Sequence, residues 1–223
     1  MMALWIPILA VVIGFVVANF FKTSEGLLQL LISFSGALLL GLTILKFLPH
    51  VFEHPNEWTP AWILLGILIQ LFLEFFSKGI EHGHYHSEGQ GSGFPFLLFI
   101  SLCLHALFEG YPIEDDSALL IGVVIHKIPV ALILASFMMN SGFSRWKQFI
   151  FLGIFALMTP LGALLRLEIG FIAQAAQIIE PLVVGIFLHI STTILFESSS
   201  NHSFDLRKMS AILLGLVLAF LLY

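Results

Sequence analysis

The chain has 223 residues, 59% of them hydrophobic and only 10% charged, with a formal net charge of −5. Soluble domains carry about 25% charged residues, so a soluble chain of this size could not cover itself with polar surface, and the class is a polytopic membrane protein. The acidic balance argues against nucleic acid as a partner, and the lone cysteine, Cys103, excludes both a disulfide framework within the chain and a cysteine-based zinc site.

A spanning helix needs about 20 mostly apolar residues. That rule predicts an all-α chain of eight segments: 3–21, 26–49, 59–80, 94–112, 117–139, 146–166, 170–196 and 208–223. The first has no basic flank and no small-residue cleavage site, so it is read as a membrane helix and not a signal peptide. Pro55-Asn56-Glu57 separates the second and third. The polar, glycine-rich stretch from Glu81 to Gly93 follows the third. Glu114-Asp115-Asp116 lies between the fourth and fifth, and Asn140-Ser141-Gly142 between the fifth and sixth. The interruption from Arg166 to Gly170 is slight, and Ser198 to Lys208 precedes the last segment. No linker is long enough to divide the chain, so residues 1–223 are read as one transmembrane domain.

Lysine and arginine placement sets the orientation. The odd-numbered loops hold Lys22, Lys78, Arg145, Lys147, Arg207 and Lys208; the even-numbered loops or their helix ends hold Lys46 and Arg166. The odd loops are therefore expected in the cytoplasm, with both termini outside. Gly36, Gly41, Pro129, Pro160, Gly162 and Gly185 lie well inside segments. They are expected to mark broken helices whose freed carbonyls are satisfied by neighbours or cavity water.

The fourth segment is free of charge from Phe96 to Leu104 and then reads His105-Ala106-Leu107-Phe108-Glu109-Gly110; the fifth carries His126-Lys127-Ile128-Pro129. His105 and Glu109, four apart, share one helix face. A charge near a bilayer centre costs at least about 2.5–3.5 kcal/mol, so it is there for a function or for a partner. A short loop makes the two helices antiparallel neighbours, with His105 about 8 Å and His126 about 14 Å below the outer ends of their segments. His105, Glu109 and His126 would then supply two imidazoles and a carboxylate. Such a set with open positions suits Zn²⁺, and also Fe²⁺, Mn²⁺ or Cd²⁺. Pro129, three residues after His126, is read either as a kink that helps build an ion site or as a packing kink. Lys127 is read either as a fixed counter-charge in the place of a second cation or as a lysine snorkelling along a cavity.

The two strings resemble the fourth and fifth helices of the ZIP (Zrt/Irt-like) metal transporters. That family reads His-x-x-x-Glu-Gly in the former and commonly His-x-x-Pro-Glu/His-Gly/Glu in the latter. The likeness extends over nearly the whole chain. Phe34-Ser35-Gly36-Ala37-Leu38 with Phe47-Leu48-Pro49 resembles the second helix, and Leu65-Gly66 with Glu74 the third. Thr159-Pro160-Leu161-Gly162 resembles the sixth and Gly185-Ile186-Phe187-Leu188 the seventh. The resemblance implies a metal site on His105, Glu109 and His126. It also implies an inverted repeat of helices 1–3 and 6–8 around helices 4 and 5. The chain departs from the two-metal form of the pattern: Ala106 stands at a frequent Asn ligand position, Lys127 at another ligand position and Val130 at that of the bridging Glu or His. One metal is therefore expected. Lys46 and His50 stand where many members have His and Glu.

His82, His84 and His86 alternate in the third loop, expected in the cytoplasm; they are read as a weak Zn²⁺ site or as a solvated loop. Glu114-Asp115-Asp116, expected outside, is read as a solvated turn first and otherwise as a run that concentrates cations at an entrance. Glu180, His189 and Glu197 lie in or near the seventh segment, Glu197 and His202 are read as a cytoplasmic exit without a firmer role, and Glu74 is read either as an inner-end residue of the pathway or as interfacial. The expected function is transport of a divalent metal, zinc first, from outside or periplasm into the cytosol. The expected location is the plasma membrane, or the inner membrane of a bacterium. The partners are the metal ion and the bilayer, with a homodimer left open. The chain is read as a transporter and not an enzyme. Two rivals stand beside that reading: an intramembrane zinc hydrolase and a metal-sensing relative that does not transport.

Overall fold

The computed structural model describes residues 2–21, 23–77, 96–113, 117–197 and 205–223, and all regular structure among them is helical. The helices are α1 (Met2–Phe20), α2 (Glu25–Leu42), α3 (Leu48–Val51), α4 (Thr59–Ser77), α5 (Phe96–Gly110), α6 (Ser117–Asn140), α7 (Arg145–Glu168), α8 (Gly170–Gln174), α9 (Ala176–Glu197) and α10 (Leu206–Leu222). Five stretches, 25–51, 59–76, 118–140, 145–168 and 176–196, are long and apolar enough to cross a membrane; 5–20 and 96–110 are shorter apolar helices. The histidine tract at 82–86 and the acidic turn at 114–116 lie outside the described residues.

Local chemistry sets several boundaries. α2 begins after Ser24, whose Oγ accepts from the Leu27 N–H at 3.3 Å. α10 begins after Asp205, whose carboxylate accepts from the Arg207 N–H at 2.9 Å. These side chains satisfy donors that a helix start leaves unpaired. Between α2 and α3 the chain stays helical through a π-turn, Thr43–Phe47, in which the Leu48 N–H reaches Thr43 O. Pro49 comes next but one and has no N–H to give, so a wider turn here re-registers the helix ahead of it.

The helices form two groups. In one, α1 packs on α6 and α7, and α5 packs on α7; in the other, α2 packs on α9 and α10, and α4 packs on α9. The groups meet where α2 lies against α6 and α4 against α5. α4 and α9 run parallel: Asn56 bonds Gln177 O at 3.3 Å, Gly66 lies on Leu182, and Glu74 meets His189.

Two expectations are corrected. The seventh segment does not begin at 170; α8 and α9 are separate, and a turn at Ala175 divides them. The interior glycines and prolines are not helix breaks. α6 runs through Pro129 and α7 through Pro160. Gly162 lies where any Cβ would collide with Leu107 O, and Gly185 where it would collide with Ile63 O. The missing side chains allow backbones to approach at crossings, the way apolar helices associate where lipid is as apolar as leucine.

Candidate metal centre

α5 and α6 do not pack closely as backbones. α5 leans on α7 and α4, and α6 on α1 and α2. The space between them is filled by side chains, with His105, Glu109, His126 and Lys127 all buried there. His105 and Glu109 point into this space from successive turns of α5: His105 Nε2 lies 3.0 Å from Glu109 Oε1. From α6, His126 Nε2 lies 3.9 Å from the same oxygen, and Lys127 Nζ lies 2.7 Å from Glu109 Oε2. The two imidazole rings are 6.3 Å apart at 80°. One ligand atom from each of His105, Glu109 and His126 lies within 4.8 Å of the others. Donors on one tetrahedral zinc sit roughly 3.3 Å apart, given bonds near 2.0–2.1 Å, so a small inward movement would let all three bind one ion. Two nitrogens and an oxygen leave a fourth position for water.

The neighbourhood holds these groups in place. His105, Glu109, His126 and Lys127 are all buried, none more than 1% exposed. Thr159 of α7 donates to Ala106 O at 2.9 Å, which ties α5 to α7 beside His105. The Lys127 ammonium lies over the Phe155 ring, 4.7 Å from its centroid, where the ring face favours a cation. Ser35 of α2 reaches His126 Nδ1 at 3.4 Å.

At the end where α3, α7 and α10 finish and α6 and α9 begin, a cavity of about 340 Å³ is lined by Lys46, His50, Glu53, Leu119, Arg166 and Glu180 among others. Arg166 Nη2 pairs with Glu180 Oε1 at 2.7 Å, and its guanidinium lies 5.1 Å from the Tyr111 ring. His50 sits between two carboxylates, Nε2 at 3.7 Å from Glu180 and Nδ1 at 3.5 Å from Glu53. Leu119 lies seven residues before His126 on α6, about 10 Å along the axis. Between them, Leu42 of α2 packs directly over Gly122, with no exposed surface. Leu42 therefore packs on α6 at a level between Leu119 of the cavity wall and His126.

Mostly shielded on the seam of α4 and α9, Glu74 and His189 form a third cluster, joined at 2.6 Å. The structure brings together His105, Glu109, His126 and Lys127 as the sequence anticipated. The sequence did not reveal Ser35, whose only signal was its place as one of two serines in an apolar run. Nor did it show that Arg166 and Glu180, or Glu74 and His189, are partners.

Three relatives share the sequence. The chain is 28% identical over 147 residues to zinc transporter ZIP1 of Takifugu rubripes, covering 60% of this chain and 49% of that one. It is 26% identical over 136 residues to zinc transporter ZIP1 of Danio rerio, covering 55% and 44%. It is 29% identical over 167 residues to Protein zntD of Dictyostelium discoideum, covering 62% and 24%. The chain thus spans half or less of the length of these relatives. A family model described as ZIP Zinc transporter matches residues 81–223, which hold the whole His-Glu-His-Lys centre and well over half of the sequence, and this chain belongs to that family.

Proposed function

We propose that this chain carries a divalent metal ion, zinc first, across a membrane into the cytosol through one site formed by His105, Glu109 and His126. The observation that carries the reading is the buried convergence of those three ligands, within 4.8 Å of one another in the interior of an apolar helical bundle. The zinc transporters among the relatives agree with the choice of ion. Lys127 is the fixed counter-charge: a dication approaching Glu109 also meets an ammonium, so it binds less tightly than to the carboxylate alone and can leave. The same ammonium stands where a second metal would lie.

The proposed frame is eight spanning helices with both termini outside, α1, α2–α3 and α4 being related to α7, α9 and α10 about α5 and α6. The packing pattern supports it. Exchanging each helix for its counterpart turns the contact of α1 with α6 into that of α7 with α5, and the contact of α2 with α10 into that of α9 with α4; all four are present. Inverted repeats commonly place a site at their interface and expose it alternately to each side. The hydrolase reading is disfavoured by Glu109 itself, whose two oxygens already face His105 and Lys127.

The test is flux in liposomes reconstituted with the purified chain and loaded with a zinc-sensitive dye. Zinc entry is expected with the native sequence and lost with Glu109→Ala. Zinc binding without entry would refute transport and favour a sensor.

A further inference from the structure

We propose that Ser35 is a positioning residue for the metal: its hydroxyl accepts from His126 Nδ1–H, holding the imidazole in the tautomer whose Nε2 turns a lone pair toward Glu109. The inference rests on the transport reading for its purpose, though not for its geometry.

The hydrogen-bond directions are set by one proton. Ser35 Oγ donates to Ile32 O at 3.1 Å, one turn back on α2. A serine hydroxyl has a single O–H, so what remains for a second partner is a lone pair. That partner is His126 Nδ1 at 3.4 Å. A neutral imidazole carries one N–H, and an Nδ1–H tautomer leaves Nε2 as the ligand atom. Nε2 is the nitrogen facing Glu109, and at 3.9 Å from Oε1 it is beyond hydrogen-bond reach of that carboxylate. The direction of the ring therefore agrees with the direction of the bond. Ser35 is 1% and His126 0% exposed, so bulk water does not compete for this contact.

The position of Ser35 gives the bond a second consequence. His126 belongs to the group of helices that holds the other ligands, whereas Ser35 belongs to the group built on α2, α4, α9 and α10. A ligand histidine is commonly oriented by a partner on its far nitrogen, and loss of that partner costs about 10–100-fold in metal affinity. Here the partner is across the boundary between the groups. Any motion that draws α2 away from α6 removes it and loosens the ion, so metal affinity is tied to how the two groups are packed.

The experiment reads the tautomer and the affinity separately. Metal-free protein labelled with ¹⁵N-histidine is examined by NMR, the His126 signals being those lost in His126→Asn. The native chain is expected to show Nδ1–H, Ser35→Ala a shift toward Nε2–H, and Ser35→Thr the native pattern. Zinc titration is expected to show roughly tenfold weaker binding for Ser35→Ala and near-native binding for Ser35→Thr. An Nε2–H tautomer in the native chain, or an unchanged tautomer in Ser35→Ala, would overturn the assignment. Because the spectrum needs no metal, a native chain that binds no zinc counts against the transport reading instead.

Discussion

Lys127 Nζ lies 2.7 Å from Glu109 Oε2, with both groups fully buried, so the one carboxylate of the metal centre is already half engaged by a cation of the protein. Glu109 Oε1 faces His105 and His126. In the proposed site, the carboxylate would therefore offer an ion one oxygen, and that ion would compete with a charge that cannot diffuse away.

Lys127→Met keeps the side-chain bulk and removes that charge. In the metal-free protein the buried carboxylate loses its partner, a change that costs about 3–5 kcal/mol for broken buried pairs. Zinc then supplies the missing charge, so it should bind at least tenfold more tightly than to the native chain while uptake slows. Thermal unfolding in detergent checks both halves: Lys127→Met should melt earlier without zinc and gain more from added zinc. Equal zinc responses in the two proteins would remove Lys127 from the account.

Gly162 and Gly110 set how closely α5 and α7 approach, and so where His105 and Glu109 stand. A Cβ at Gly162 would run into Leu107 O, and one at Gly110 into Thr159 O. Backbone oxygens cannot rotate aside as a side chain can. Gly162→Ala should therefore destabilise by at least about 1–3 kcal/mol, the scale of overpacking. Gly153 lies on the same helix with nothing within 4 Å of its Cβ position. Gly153→Ala should be neutral or stabilise by up to about 1 kcal/mol through helix propensity. Melting temperatures of the two variants, with zinc binding to Gly162→Ala as a second readout, make the comparison.

The candidate ligands were legible because His105 and Glu109 share a face by spacing alone, His126 follows a short loop on the next helix, and apolar surroundings make each polar group conspicuous. The glycines were visible but misread. A sequence shows that Gly162 lacks a side chain, and only the packed structure shows which neighbour's carbonyl occupies the space. Pairings across long separations were hidden for the same reason. Ser35 and His126 are 91 positions apart and Glu74 and His189 are 115 apart; no local pattern connects them. The turn at Ala175 was missed because residues 170–174 are as helical and apolar as the first turns of α9.

Glu74 and His189 join α4 to α9 within the second group of helices. The contact is 2.6 Å long and mostly shielded, so it should act as one unit. In a double-mutant cycle, Glu74→Ala and His189→Ala should couple by about 0.5–3 kcal/mol, the range for residues in contact. Additive losses in detergent unfolding would show that the pair contributes no mutual stability.

Leu42 lies over Gly122, at a level of α6 between Leu119 of the cavity wall and His126. It packs against the bare face of Gly122, one turn from His126, and on the cavity side of Gly122 lies Leu119, itself part of the cavity wall. An ion passing from the cavity to His126 by this seam has to displace an apolar side chain for which it offers no favourable contact. Leu42→Ala shortens that side chain by three carbons and opens the seam without altering a ligand. Zinc exchange between the site and the cavity side should then quicken, by roughly tenfold if the barrier falls by about 1.4 kcal/mol. Equilibrium zinc affinity should stay close to native, because binding and release gain together. Stopped-flow release of zinc to a chelator, set beside equilibrium titration, separates these quantities. Faster release with equally weakened affinity would mean that Leu42 supports the ligands, and an unchanged rate would place the barrier elsewhere along the bundle.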